Sequence, residues 1–137
     1  MPVLLISTAL FWCLDQGSKR IVGARGSRWL TDGLVRLRTV AHRRKIYETT
    51  ALRLLLVFIW LLAAASTLVL YRSGAAFQSA AGLAGVGAAL GGAAGNLGDI
   101  LRRRAILNFV HIGWWPAFNL ADVSIVAGLF LAFFSAY

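Results

Sequence analysis

Acidic side chains in apolar surroundings are the residues of this sequence most able to do chemistry. Four of the five acids lie in or at the end of an apolar stretch: Asp15, Glu48, Asp99 and Asp122. An acid inside a membrane helix costs at least about 2.5 kcal/mol on insertion scales, so each is a functional candidate. Asp122 is the only charged residue in the stretch 116–137. Such an acid serves either in proton transfer or as a hydrogen-bonded structural group facing other helices.

Two of these acids have basic residues at helical spacing. Lys19 lies four residues after Asp15, and Arg102 and Arg103 lie three and four residues after Asp99. Residues at these separations are neighbours on a helix surface. We therefore expect local ion pairs at both positions.

The elements that must position these acids are membrane helices. The chain has 137 residues, of which 59% are hydrophobic, against about 45–50% in a typical soluble domain. Four apolar stretches approach the roughly 20 residues that cross a membrane core: 3–22, 50–70, 75–101 and 116–137. The sequence predicts an all-α integral membrane protein, a four-helix transmembrane bundle in a single domain, 1–137. The first stretch lacks a preceding basic residue and continues into Asp15, so we interpret it as a retained helix.

The two longer links are predicted to form a small β-containing region. Val35 to Val40 alternates apolar and polar residues, and Ile106 to Val110 is a second short strand candidate. Because two spans separate the 1–2 and 3–4 loops, both fall on the same membrane face.

The third stretch carries glycines at every fourth residue, Gly87, Gly91 and Gly95. This spacing lets neighbouring helices approach closely. We expect it to serve packing within the bundle rather than a dimer contact.

Four short motifs follow one another along these elements. They are Asp15-Gln-Gly-Ser-Lys19, Gly91-Gly-Ala-Ala-Gly-Asn-Leu-Gly-Asp99, Asn108-Phe109 and Phe118-Asn-Leu-Ala-Asp122. In this order and spacing they resemble the signature of the lipoprotein signal peptidases (signal peptidase II), over nearly the whole chain. That family is an intramembrane aspartic peptidase, in which two carboxylates activate a water and cleave lipid-modified signal peptides.

The resemblance implies a site and a setting. Positions 108 and 122 would form the catalytic dyad, and the substrate-binding residues would be Asp15, Lys19, Asn96, Asp99 and Asn119. No cofactor is implied, and His42 and His111 have no Cys or carboxylate at metal-ligand spacing. The implied partners are membrane lipid and a lipoprotein or membrane protein, not nucleic acid. The implied location is the bacterial cytoplasmic (inner) membrane, crossed several times.

The chain departs from the family pattern at the residues that matter most for cleavage. Position 108 is asparagine, Ile100 replaces an arginine, and Arg104 replaces a glycine. The NxGxAF element is absent, its place falling in residues 41–46, and the similar Ser73-Gly-Ala-Ala-Phe77 comes after the second helix. Without a second acid the proton cannot be shared. We therefore expect an inactive homologue that binds a lipid, lipoprotein or membrane helix, as an accessory or assembly subunit of a membrane complex.

Two other functions are weaker. An active, divergent peptidase would need Asp99 or Asp15 to approach Asp122. A transporter or channel would have to work with one acid in its last helix, which is a poor relay.

Charge and resemblance predict opposite orientations. The net charge is +9, and most basic residues lie in the 1–2 and 3–4 loops, with Arg72 on the other side. The positive-inside rule places those loops in the cytoplasm, whereas the family places them outside. If they lie outside, they would bind anionic lipid headgroups or an acidic partner. Trp114 and Trp115 suit the membrane interface.

Overall fold

A computed structural model describes residues 1–24, 49–135 and the backbone of 35–42. Its elements, in chain order, are α1 (Pro2–Ala24), β1 (Val35–His42), α2 (Thr50–Arg72), α3 (Ala80–Arg103), β2 (Ile106–Ile112) and α4 (Leu120–Phe134). The predicted four-helix bundle with a small sheet is confirmed.

Helix α3 is the centre of the bundle because its glycines let two helices approach it from different sides. A Cβ atom at Gly87 would lie 2.6 Å from the Ser7 Cβ of α1. A Cβ atom at Gly85 would lie 2.6 Å from the Gly128 carbonyl oxygen of α4. Gly91 and Gly95 continue the α1 face, and Gly92 continues the α4 face. The glycine stripe therefore packs helices within the bundle, as expected.

Helix α2 is attached more loosely and faces outwards. Its most apolar window has a mean hydropathy of 2.4 and only 6% of it is buried. Trp60 anchors it to α3 by donating its indole N–H to the Leu90 carbonyl at 3.0 Å. A strongly apolar helix that is exposed on the protein surface is stable when lipid surrounds it, so α2 suits a position facing the membrane lipid.

Two of the described helices are long and apolar enough to cross a membrane, by length and composition. These are α2 and α3, whereas α4 is apolar but has 15 residues. Asp15 and Lys19 lower the mean hydropathy of helix α1, and both are buried in the protein.

The two predicted strands form one antiparallel pair. Val35 pairs with Ile112 and His42 with Ile106, with an irregularity between Leu37 and Val40. The pair lies at the bundle end where α3 stops and α4 starts.

Two helices begin later than the hydropathy pattern predicts. Helix α3 begins at Ala80 instead of residue 75, because Phe77 has a φ of 58° and Ser79 caps the helix. Helix α4 begins at Leu120 instead of residue 116, because Phe118 first pairs with Val110 of β2 and Asn119 is the cap. Apolar composition set the expected limits, but local backbone hydrogen bonds set the actual ones. The other ends agree with the prediction to within three residues.

Candidate functional site

All seven sequence-predicted site residues meet in one polar cluster at the sheet end of the bundle. Helix α1 brings Asp15 and Lys19, α3 brings Asn96 and Asp99, and β2 and the start of α4 bring the rest. We call this group the polar cluster; its members are Asp15, Lys19, Asn96, Asp99, Asn108, Asn119 and Asp122.

Lys19 lies at the base of the polar cluster and is 3% exposed. Its ammonium nitrogen is 2.6 Å from Asp15 Oδ2 and 2.7 Å from Asp99 Oδ2. It also donates to Asn96 Oδ1 at 3.2 Å. The predicted Asp15–Lys19 pair is therefore confirmed, but it is one part of a larger buried ion group.

Of the two partners expected for Asp99, the structure confirms Arg103, and it adds Lys19 as a nearer one. Its principal cation is Lys19 of α1, and Arg103 lies 3.9 Å away with its side chain 43% exposed. No ion pair joins Asp99 to Arg102 in the part of the chain that the structure describes. A buried acid gains most from a buried cation, because water screens an exposed arginine.

Each buried acid also holds a backbone amide next to a site position. Asp15 Oδ1 accepts the N–H of Ala121 at 3.0 Å, beside Asp122. Asp99 Oδ2 accepts the N–H of Leu107 at 3.3 Å, beside Asn108. The amide of Ala121 is one of the free donors at the start of α4, where a carboxylate is favoured.

Asn119 and Asp122 form a reciprocal cap at the start of α4. Asn119 Oδ1 accepts the N–H of Asp122 at 2.9 Å, and Asp122 Oδ2 accepts the N–H of Asn119 at 3.1 Å. The Asn-Leu-Ala-Asp spacing produces this capping box directly. Asn96 donates to the other carboxylate oxygen of Asp122 at 2.8 Å. Both carboxylate oxygens of Asp122 therefore accept hydrogen bonds, one from α3 and one from its own helix cap.

Position 108 is enclosed by hydrogen bonds on both sides. Asn108 Oδ1 accepts from Asn119 Nδ2 at 3.0 Å, and Asn108 Nδ2 donates to the Ala117 carbonyl at 2.9 Å. The described contacts connect Asn108 and Asp122 through Asn119. A contact between their own side chains, direct or through water, stays a prediction.

The role expected for the other members as substrate-binding residues also stays a prediction. In this structure Asp15 and Asn119 are fully buried and Asp99 is 1% exposed, and the three side chains bind other groups of the protein. Asn96 and Asp122 are the partly exposed members of the cluster.

A cavity of about 890 Å³ opens between α2, α3 and α4. Asn96 is at its polar end, and Ile100, at the position of the family's arginine, lines the wall beside it. Trp60 of α2 and Phe77 of the α2–α3 link line the wall farther away. The volume lies within the range of ligand pockets, and such pockets combine apolar walls with a few polar groups.

Sequence reasoning missed several of these contributors. Gln16 donates to Asp15 Oδ2 at 3.1 Å and to the Gly95 carbonyl at 3.2 Å, and it belongs to the first motif. Nothing in the sequence marks Ala117 or Trp60, and Phe77 stands out only as the end of the Ser73-Gly-Ala-Ala-Phe77 stretch; the roles of all three come from folding. Within the described residues no group of three or more His, Cys, Asp or Glu side chains is placed to hold a metal.

The fold and polar cluster define a helical membrane protein whose polar cluster adjoins an apolar cavity through Asn96. The sequence model of the family described as signal peptidase (SPase) II matches residues 7–137. The chain therefore belongs to the signal peptidase II family of bacterial membrane proteins.

Relatives named lipoprotein signal peptidase agree with this assignment. The protein of Syntrophomonas wolfei is 36% identical over 119 residues, 84% of this chain and 79% of that relative. The protein of Rhodococcus jostii is 36% identical over 110 residues, 75% of this chain and 54% of that relative. The protein of Nitratidesulfovibrio vulgaris is 49% identical over 55 residues, 37% of this chain and 33% of that relative. The chain thus spans about half the length of the Rhodococcus jostii protein and about a third of the Nitratidesulfovibrio vulgaris protein.

Two solved structures of a bacterial membrane enzyme share the fold. One has a TM-score of 0.77 and is covered over 87% of its chain, and the other has a TM-score of 0.79 and is covered over 92%. Both are 14% identical to this chain and cover 98% of it.

Proposed function

We propose that this chain binds a lipid, lipoprotein or membrane helix at the Asp122 end of its cavity and does not cleave it. The observation that carries the proposal is the amide at position 108, bonded to Asn119 on one side and Ala117 on the other. An amide neither takes the proton of an attacking water nor protonates a leaving group. Loss of such a group typically costs about 10²–10⁴ in rate.

The other described acids are poor substitutes for the missing carboxylate. Asp15 and Asp99 are buried against Lys19, and each holds a backbone amide as well. Bringing either one to Asp122 would break those bonds and take away one of the two buried carboxylates that pair with Lys19, which is unfavourable. Among the described acids, Asp122 alone is hydrogen-bonded to a residue that lines the cavity, Asn96.

The binding part of the proposal depends on the cavity. Its wall is apolar along α2, α3 and α4, and its polar end is formed by Asn96, which is hydrogen-bonded to Asp122. This polarity matches a ligand with a hydrocarbon part and a polar head. In the same proposal the chain is a multi-pass protein of the bacterial inner membrane and an accessory or assembly subunit.

A divergent, active lipoprotein signal peptidase is the second candidate. The names of the relatives favour it, and so does the intact setting of Asp122. Cleavage assays separate it from the first.

The test uses the purified chain and a lipid-modified prolipoprotein, with the Syntrophomonas wolfei peptidase as the positive control. Binding is measured by photocrosslinking of the precursor, and cleavage by the shift in its size. We expect crosslinking without cleavage, and we expect competition by the lipidated peptide but not by its unlipidated form. Cleavage that Asp122→Asn abolishes would establish the active peptidase instead. A precursor that neither crosslinks nor is cut would overturn the binding proposal.

A further inference from the structure

We propose that Lys19 is a positioning residue, which holds position 108 and Asp122 in place on the α1–α3 pair. The inference does not depend on whether the chain cleaves. It follows from where the three hydrogen-bond partners of Lys19 lead: each is one bond from a site position or its neighbour.

Two of these connections pass through the buried acids. Lys19 binds Asp99 at 2.7 Å, and Asp99 accepts the N–H of Leu107, next to position 108. Lys19 binds Asp15 at 2.6 Å, and Asp15 accepts the N–H of Ala121, next to Asp122.

The third connection reaches the carboxylate itself. Lys19 donates to Asn96 Oδ1 at 3.2 Å, and Asn96 Nδ2 donates to Asp122 Oδ1 at 2.8 Å. An ammonium group has three protons and no acceptor, so these three partners use all of its capacity. Asn96 Oδ1 accepts from Lys19 and, at 2.8 Å, from Asn119 Nδ2, and together these bonds fix which end of the Asn96 amide points to Asp122.

We call the segment from β2 to the start of α4 the corner. Hydrogen bonds within the corner do not by themselves attach it to α1 and α3. The segment from β2 to the start of α4 is joined to itself by Val110–Phe118 pairing and by the Asn119–Asn108 bond. Those contacts keep positions 108 and 122 together. The polar contacts that attach the corner to α1 and α3 run through Asp15, Asp99 and Asn96, and all three bind Lys19.

The competing view is that Lys19 only neutralises two buried acids. Lys19→Met alone does not separate the two, because it leaves unpaired carboxylates that could prevent folding. The triple variant Asp15→Asn, Lys19→Met, Asp99→Asn removes all three charges together. Its asparagine oxygens can still accept the N–H groups of Ala121 and Leu107, but the central bridge is gone.

The readout is a set of distances between spin labels, in a Cys13→Ala background because Cys13 is exposed. Two pairs report on the corner: Leu101 with Val123, and Leu101 with Ile112, at 45%, 47% and 37% exposure. The control pair, Ala81 with Phe134, is exposed at the other end of α3 and α4.

With Lys19 present, we expect each pair to give one narrow distance. In the neutral triple variant we expect the distance distributions of both corner pairs to broaden. The control pair should keep its narrow distance, and the helical content should be unchanged. If the corner distances stay narrow in the triple variant, Lys19 only neutralises charge and the proposal is wrong. If the control pair broadens equally, the effect is general loosening and the proposal is wrong as well.

Discussion

At position 108, the side-chain amide accepts a hydrogen bond from Asn119 and donates one to the Ala117 carbonyl. A protonated aspartic acid could make both bonds. An ionised aspartate would instead place an oxygen against the carbonyl oxygen, 2.9 Å away in the present arrangement. Asparagine therefore occupies the geometry of the neutral acid without its removable proton.

This geometry predicts how Asn108→Asp depends on pH. The folded state favours the protonated side chain, whereas the unfolded chain ionises it near pH ~3.9. We compare it with Asn108→Ala, whose side chain at position 108 cannot ionise. The stability of Asn108→Asp relative to this control should be highest below that pH and should fall as the pH rises. Melting temperatures of both variants in detergent at about pH 4 and about pH 8 measure the difference. A difference that is the same at both values would contradict the prediction.

Restoring the acid should recover little cleavage. Asn108→Asp supplies the second carboxylate, but Ile100 still lines the cavity where the family has an arginine. The NxGxAF element is also absent, and most of its place, 43–46, lies outside the described residues. Misplacement of a substrate by about 1 Å can cost about 10²-fold in rate. Cleavage of a lipidated precursor should stay far below that of the Syntrophomonas wolfei peptidase; comparable rates would show that the acid alone was missing.

At the scale of elements, α3 determines how closely the bundle packs. A Cβ atom at Gly85 would lie 2.6 Å from backbone atoms of both Gly128 and Ala132, whereas one at Gly98 meets nothing within 4 Å. These two positions of the same helix form a matched pair.

Gly85→Ala should therefore destabilise the protein by about 1–3 kcal/mol, because α4 must move away. Gly98→Ala should be neutral or stabilising by up to about 1 kcal/mol, since alanine is the better helix former. Unfolding in a detergent series measures both. Equal effects of the two substitutions would mean that α4 does not pack on α3 at Gly85.

At the scale of the whole molecule, the sheet places β1 of the 1–2 link beside β2 of the 3–4 link, at one end of the bundle. Strand β1 pairs with β2 along 35–42, and β2 follows the last turn of α3. Arg20, Arg102 and Arg104 are exposed at this end, and Arg72 is exposed at the other.

Single cysteines at positions 36 and 103, in a Cys13→Ala background, should react with an impermeant reagent from the same side of the membrane. A cysteine at position 72 should react from the opposite side and is the control. Labelling of 36 and 103 from different sides would mean that the chain crosses the membrane a different number of times.

The charge excess predicts that this shared side is cytoplasmic, because basic loops are retained there. Residue 137 would then lie outside. A reporter fused to Tyr137 should be active only when the fusion is exported. Activity in the cytoplasm alone would support the family orientation and an outward basic surface.

The sequence by itself determined the family, the four helices, the strand pair and the members of the polar cluster. These follow from local patterns: apolar length, period-two alternation, and short motifs such as Phe118-Asn-Leu-Ala-Asp122. The capping box at Asn119 is local in the same sense, since its two partners are three residues apart.

Only the tertiary structure decided which groups bind one another across the bundle. Asp99 pairs at 2.7 Å with Lys19 of another helix, and the pair with its own neighbour Arg103 is longer, at 3.9 Å. Phe118 pairs with β2, so α4 begins four residues later than its apolar stretch. The cavity exists because α2 packs loosely beside α3 and α4. Burial favours a partner in the same low-dielectric site over a nearer one in water, and no local pattern carries that information.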